Sequence, residues 1–331
     1  MTRPLRALAA LALLPALALV AGGCSDTVAA PGVSASAQTT DALTVLPADA
    51  DVLGMMNFEA ARGSGALDAM TGGAGLGFMS GSGSADFDEF VRLTGFDPET
   101  DLDRVYVAAS EDGDRGRAAF VAYGRFDRDR IEQYAASQPD FDLEQTEIDG
   151  IPVYIGQEED GTRGGFALAS SQMILGGDEA TLTQMVRRLG TQGTAPGAEL
   201  QALLDRVQYP DGAWFVARGL GRLRDGSPEA SAPAAPAAFA AQTAESVVLS
   251  MDFDADGVPV RAFVVTEAGT SVDDVADALR GGIAAAKMGV KNEPAALDVL
   301  DRAEVDAQGD GVSVDAFLTT DFLRAAREQA D

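Results

Sequence analysis

Residues Val247–Thr266 read VVLSMDFDADGVPVRAFVVT, two apolar and largely β-branched runs on either side of an acidic Asp-Ala-Asp-Gly turn. Asp-Gly between such runs is a strong short-range signal for a β-hairpin. The pattern also occurs earlier, where Val105–Ser110 and Ala118–Tyr123 flank the turn Glu111–Asp114. The chain therefore contains two predicted antiparallel hairpins.

Each predicted hairpin lies within a similar series of elements. A strand preceded by a proline comes first, Val52–Phe58 in one series and Ala213–Arg218 in the other. A variable stretch, the hairpin, a helix, further strands and a closing helix follow. The further strands are Ile151–Ile155, Gly165–Ala169 and Met173–Leu175 in the first series, and Arg302–Val305 and Val312–Phe317 in the second.

Helix boundaries follow from capping residues. Ser271 and Asp178 each precede apolar residues at helical spacing, as N-caps do, and Thr320 precedes the closing helix. The order of elements predicts an α+β protein of two similar lobes, each a mainly antiparallel sheet with helices packed on one face, which is a pseudo-duplication. Lobe one covers residues 42–196 and lobe two covers residues 197–331, with the helix Glu199–Val207 leading into the second lobe.

The N-terminus has the features of an export signal. Arg3 and Arg6 precede the uncharged apolar stretch Ala7–Val20, which is too short to span a bilayer core of about 30 Å. Small residues then lead to Cys24, the single cysteine of the chain. This segment resembles the lipobox of bacterial lipoprotein precursors, with Ala21 where that motif usually has Leu. The alternative is an ordinary signal peptide in which the cysteine falls there by chance.

The resemblance implies that residues 1–23 are a signal peptide and that Cys24 carries a diacylglyceryl thioether and an acylated amine, so that membrane lipid is one partner. Residues 24–41 are then the lipidated cysteine and a flexible tether, since the segment is small and polar without an apolar period. Ser25 after the cysteine favours the outer membrane over the outer face of the inner membrane, by the sorting habit of better-known lipoproteins.

Three sequence segments carry a resemblance to a second group of proteins. They are LPADADVLGMMNF (46–58), FDEFVRLTGFDPETDLDRVYVA (87–108) and GRFDRDRIEQYAAS (124–137). They look like bacterial envelope proteins classed as domains of unknown function, which tend to open with Leu-Pro-Ala-Asp and a hydrophobic strand. The resemblance implies a fold and offers no catalytic residues.

Composition excludes several functions. The net charge of −28 repels the phosphate backbone and argues against nucleic-acid binding. The chain has no histidine, so Ser-His-Asp and Cys-His catalysis are impossible, and one cysteine cannot form a cysteine-cluster metal site. No phosphate-loop motif is present. We therefore expect a protein without enzymatic activity or cofactor.

Asp252, Asp254 and Asp256 match the opening D-x-D-x-D-G of a calcium loop. Position twelve of that loop requires Glu, and Phe263 occupies it here, within a predicted strand. An acidic hairpin turn is the favoured interpretation, and weak calcium binding is the alternative.

The leading functional hypothesis is a non-catalytic, lipid-anchored envelope protein that presents a two-lobe surface to a protein partner. The alternative is a lipoprotein that binds a small or apolar ligand between the lobes, with the Met- and Gly-rich segment Met70–Ser80 as an adaptable lid. A hydrolytic enzyme ranks third.

Lipidation at Cys24 is directly testable. Cys24→Ser should move the protein from membranes to the soluble fraction, because two or more acyl chains are what hold it there. Fractionation after a high-salt wash measures this. Sedimentation of the variant with membranes would contradict the assignment.

Overall fold

The computed structural model describes residues 37–65, 91–112, 115–137, 143–157, 161–189, 191, 193–220 and 242–328. These residues divide between two compact units. Unit one contains the described residues up to Glu59 and those from 91 to Gly197, and unit two contains residues 60–65 and those from Ala198 onward.

The elements up to residue 188 alternate between short helices and an antiparallel sheet. In chain order they are α1 (Ala37–Val45), β1 (Val52–Asn57), α2 (Phe58–Ser64), α3 (Pro98–Asp101), β2 (Leu102–Asp112), β3 (Arg115–Gly124), α4 (Arg128–Ser137), β4 (Glu144–Ile148), β5 (Ile151–Gln157), β6 (Arg163–Ser170), β7 (Met173–Asp178) and α5 (Glu179–Arg188).

The elements after residue 197 form the second series. They are α6 (Ala198–Leu204), β8 (Ala213–Arg218), β9 (Ala244–Met251), β10 (Gly257–Thr266), α7 (Val272–Gly289), α8 (Pro294–Asp301), β11 (Glu304–Gln308), β12 (Gly311–Thr319) and α9 (Thr320–Glu328). The chain is therefore α+β, as predicted.

In unit one the strands are ordered β1-β2-β3-β7-β6-β5-β4, and every neighbouring pair is antiparallel. The predicted hairpin is β2–β3, in which Val105 pairs with Ala122. Its strands are longer than predicted, because pairing continues until Asp112 meets Arg115. The first hairpin is thus confirmed.

In unit two the order is β8-β9-β10-β12-β11, again antiparallel throughout. The predicted hairpin is β9–β10, and Met251 pairs with Val260 beside the acidic turn. The pairing register shifts between Val265 and Thr266. The second hairpin is also confirmed.

The two predicted N-caps form as expected. The Asp178 carboxylate accepts a hydrogen bond from the Thr181 amide at 3.0 Å and starts α5. The Ser271 hydroxyl accepts one from the Asp274 amide at 3.3 Å and starts α7. Each cap satisfies a backbone donor that the first helical turn leaves free.

Helix α1 begins at Ala37, inside the segment predicted as a tether. Its sequence has weak helical periodicity, so tertiary contacts hold it. The Thr39 hydroxyl lies 2.8 Å from the buried Tyr106 hydroxyl, and the Tyr123 hydroxyl donates to the Gln38 carbonyl at 3.3 Å. At the other end, Arg188 donates to the carbonyls of Val45 and Leu46. Burial, with the nearby Asp41 charge, raises the pKa of Tyr123 well above its ordinary value.

Further elements differ from the predictions. Strand β4 was not predicted, because its sequence EQTEI is polar and nearly all of it is exposed at the sheet edge. Helix α8 was also not predicted, and it ends at Asp301 with Arg302 as its C-cap, so β11 starts at Glu304 and not at the predicted Arg302. Helix α6 ends at Leu204, three residues before the predicted end.

Helices lie on both faces of the unit one sheet, whereas one face was predicted. Helices α1 and α5 pack together on the face that carries Tyr106. Helix α4 lies beside Tyr154, which projects from the opposite face and interacts with Glu132 of that helix. Strand β5 explains the difference, since its central residues are apolar on both faces and both need cover.

The bond between Thr39 and Tyr106 should contribute measurably to stability. Thr39→Val leaves the fully buried Tyr106 hydroxyl without this partner, so we expect the free energy of unfolding to fall by about 1–3 kcal/mol. Denaturant titration of the protein measures it. Adding Tyr106→Phe should recover much of the loss, because both polar groups are then gone. Equal stability of Thr39→Val and the parent protein would refute the contact.

Candidate binding surface

Two sets of predicted residues lie outside the part of the chain that the structure describes. The first is the signal peptide with Cys24, and the second is the segment Met70–Ser80. Among the described residues, no helix is long and apolar enough to cross a membrane.

The acidic turn is held by its own backbone. The Asp254 amide donates to the Gly257 carbonyl at 2.9 Å, and the Gly257 amide donates back to Asp254 at 3.3 Å. The Asp252 carboxylate accepts a hydrogen bond from the Phe253 amide at 2.9 Å. Asp254 and Asp256 are exposed, while Asp252 is half-buried. Within the described ranges, no group of three acidic, cysteine or histidine residues is arranged to hold a metal ion.

Two open depressions lie on unit one. One of about 560 Å³ is lined by Arg163 and residues of α5, and the other of about 500 Å³ is lined by Phe96, Phe126 and Arg125. Arg163 forms ion pairs with Glu144 at 2.6 Å and Glu179 at 2.7 Å. Arg125 pairs with Asp101 at 3.2 Å and Asp103 at 3.6 Å. The charges of Arg163 and Arg125 are thus compensated by carboxylates close to them.

The sheet of unit one has one closed and one partly open face. The closed face carries Leu53, Tyr106, Val121, Leu175 and Val153, which are all essentially buried. Because side chains alternate along a strand, their neighbours project to the other side. That side carries half-buried apolar residues, which we call the apolar face of unit one: Met56, Val105, Val107, Phe120, Phe166 and Ile174.

Strand register aligns aromatic rings across this apolar face. Phe120 is paired with Gly176, which in turn is paired with Phe166 on the next strand. The Phe120 ring lies over Gly176, where a Cβ atom would overlap it. Phe166 stacks on Tyr154 with ring centroids 5.0 Å apart. The glycine thus provides the space that the Phe120 ring occupies.

Tyr154 closes the aromatic row at its outer end. Its hydroxyl accepts a hydrogen bond from the Gln145 side chain at 3.2 Å. Burial, assisted by the carboxylate of Glu132, raises the pKa of Tyr154 to about 12. Glu132 of α4 therefore lies beside this end of the row, while Val107 and Phe120 farther along are half-buried.

Unit two has a comparable face. The pairs Phe215–Leu249, Leu249–Ala262 and Ala262–Val314 form one row across its strands. Val305 and Val314 are buried where α7 and α8 pack on β11 and β12. The rest is half-buried, and we call it the apolar face of unit two: Phe215, Val247, Leu249, Met251, Val260, Ala262 and Val264.

The opposite face of unit two contains a polar cluster. Arg261 donates to Asp315 at 2.7 Å and to the Gln208 side chain at 3.1 Å. Burial and the Asp315 charge raise the pKa of Tyr209 beside them. Trp214 is only 3% exposed on this face and belongs to the core of unit two. The cluster neutralises its own charge and serves to join the residues after α6 to the sheet.

Sequence comparisons give no relative for this chain. No protein-family model matches it, and no curated protein matches it.

Solved structures do match. A structure of crystal form III of TP0453 aligns with a TM-score of 0.50 at 10% identity, over 87% of this chain and 98% of that chain. Crystal form I of TP0453 aligns with a TM-score of 0.48 at 11% identity, over 87% and 96%. At 10% identity the likeness to crystal form III concerns the fold alone, and it is consistent with the α+β architecture.

The packing of Phe120 over Gly176 can be tested by substitution. Gly176→Ala should lower the free energy of unfolding by about 1–3 kcal/mol, because the added methyl overlaps the ring and forces it to move. Denaturant titration measures the loss. Gly116→Ala on β3 is the matched control, since its Cβ would make only an ordinary contact, and it should be nearly neutral. Equal effects of the two substitutions would contradict the packing.

Proposed function

We propose that this protein is a non-catalytic, lipid-anchored envelope protein whose two similar units present apolar sheet faces to a protein partner. In this proposal Cys24 carries the lipid, with the outer membrane favoured over the outer face of the inner membrane. The apolar faces of unit one and unit two supply the binding surface.

The observation that carries the proposal is the incomplete cover of one sheet face in each unit. Val107 and Phe120 in unit one, and Leu249 and Val260 in unit two, remain half-buried although they are centrally placed on their sheets. Apolar side chains in such central positions are normally buried, because burial stabilises by about 25 cal/mol per Å². A partner that covers them would gain that free energy.

A duplication of one ancestral unit would explain why two such faces exist. The order β1-β2-β3-β7-β6 corresponds strand by strand to β8-β9-β10-β12-β11. A helix precedes the first strand in each series, α1 or α6, and a helix follows the equivalent fourth strand, α5 or α9. Strands β4 and β5 are then additions to the first unit. The correspondence supports the pseudo-duplication as part of the proposal.

The charge of the chain also fits a binding role. A net charge of −28 favours encounter with basic partners and disfavours acidic ones. On the apolar faces themselves, recognition would depend on shape and apolar contact, while the surrounding acidic surface would accelerate association at low salt.

Site-specific photo-crosslinking in intact cells tests the proposal. A photoreactive amino acid replaces Val107 on the apolar face of unit one, and the control replaces the exposed Gln172. We expect a discrete protein product from position 107 alone, weakened when Phe120→Ser is added, because that substitution removes a neighbouring contact. Immunoblotting and mass spectrometry of the product read it out.

Three results would overturn the proposal. They are identical products from positions 107 and 172, no product from position 107, and a product whose added mass is a small or lipid molecule. The last result would instead favour the ligand-binding alternative. Thermal melting of each variant shows whether it is folded.

A further inference from the structure

Helix α7 separates its charges along its length. Asp273, Asp274 and Asp277 are exposed in the first half. From residue 278 to residue 292 there is no acidic residue, although the chain as a whole carries a net charge of −28. That second stretch holds Arg280 and both lysines of the chain, Lys287 and Lys291. The order of charges complements the helix dipole, which accounts for the first and last turns. Between those turns, Arg280 pairs with Asp277 at 2.9 Å and donates to the Val305 carbonyl at 2.7 Å.

The solvent side of α7 is small and apolar in its second half. Gly281, Ala284, Ala285 and Met288 are exposed at helical spacing, while Val275, Ala276 and Ile283 on the other side are buried. Met288 is 72% exposed, and among the described residues it is the one large hydrophobic side chain in that class. A Cβ at Gly281 would meet no atom within 4 Å. A second helix could therefore approach the backbone of α7 closely at this point.

We propose that this face of α7 binds the same face of a second copy of the chain, in an antiparallel arrangement with the two-fold axis near Gly281. In that arrangement the acidic half of each helix lies opposite the basic half of the other, so Asp274 faces the region of Lys287 and Met288. A two-fold interface must be complementary to itself, and the charge order of α7 meets that requirement.

Charge also favours association of two copies through this face of α7 over association through other surfaces of the chain. Two bodies with a net charge of −28 repel each other wherever acidic surfaces meet. The acid-free half of α7 avoids that repulsion. An 18-residue helix is only about 27 Å long, so the pairing buries less than a standard interface and the dimer is weak and reversible.

Disulfide trapping tests the geometry in the full-length protein in membranes. Gly281→Cys places a thiol next to the two-fold axis, so mild oxidation should give a covalent dimer. Ala255→Cys, exposed in the acidic turn of the same unit, is the control and should give at least about fivefold less dimer. The parent protein measures any dimer that forms through Cys24.

A charge exchange tests the orientation, with Gly281→Cys as the reporter. Asp274→Lys alone and Lys287→Glu alone should each lower the dimer yield about fivefold, because symmetry doubles the effect of each substitution. The double exchange should restore the yield, since each reversed charge again faces its opposite. Lys287 also pairs with Asp301 at 3.1 Å within its own chain. That pair is lost both in Lys287→Glu alone and in the double variant. Recovery of the dimer yield in the double variant therefore reports on contact between copies.

The outcomes are decisive. A yield from Gly281→Cys no greater than from Ala255→Cys would overturn the pairing, and failure of the double exchange to restore the yield would overturn the antiparallel arrangement. Asp256→Lys makes the same change in net charge as Asp274→Lys and should leave the yield undiminished. Position 274 is exposed and position 287 is half-buried, and the melting temperature of each variant shows whether it is folded.

Discussion

A strand with apolar side chains on both faces must be covered on both, and this constraint governs most of the molecule. In unit one it places α1 and α5 on the face of Tyr106 and α4 on the face of Tyr154. Cover is complete on the first face and partial on the second. The proposed partner binding depends on the half-buried apolar residues of the second face.

The glycines of β6 and β7 follow from the same constraint. Gly176 leaves room for the Phe120 ring, and a Cβ at Gly165 would overlap the Tyr154 carbonyl. A glycine within a strand has a cost in backbone entropy, which is acceptable where a neighbouring ring or chain needs the space. The aromatic row thus depends on residues that have no side chain.

Local patterns predicted much of this fold. The Asp-Gly turns identified both hairpins, and the caps at Asp178 and Ser271 identified two helices, because each signal acts within a few residues. The elements that were not predicted depend on distant contacts. Helix α1 is held by Tyr106 and Tyr123, more than sixty residues away, and β4 is polar because it lies at an edge. The apolar faces were not predicted either, since they require the register of β3 against β7. The pair Gly176-Gly177 within a strand was the one sequence signal for that row.

Helix α1 has a mechanical consequence. Any force applied through residues 1–36 enters the described structure at Ala37, so α1 bears the load before the sheet does. It is held at its start by the Thr39 and Gln38 contacts and at its end by Arg188. Ala42 and Val45 of α1 are also buried, so core packing holds this helix together with these hydrogen bonds. A load applied through residues 1–36 would therefore act on the packing of α1 before it acts on the strands of unit one.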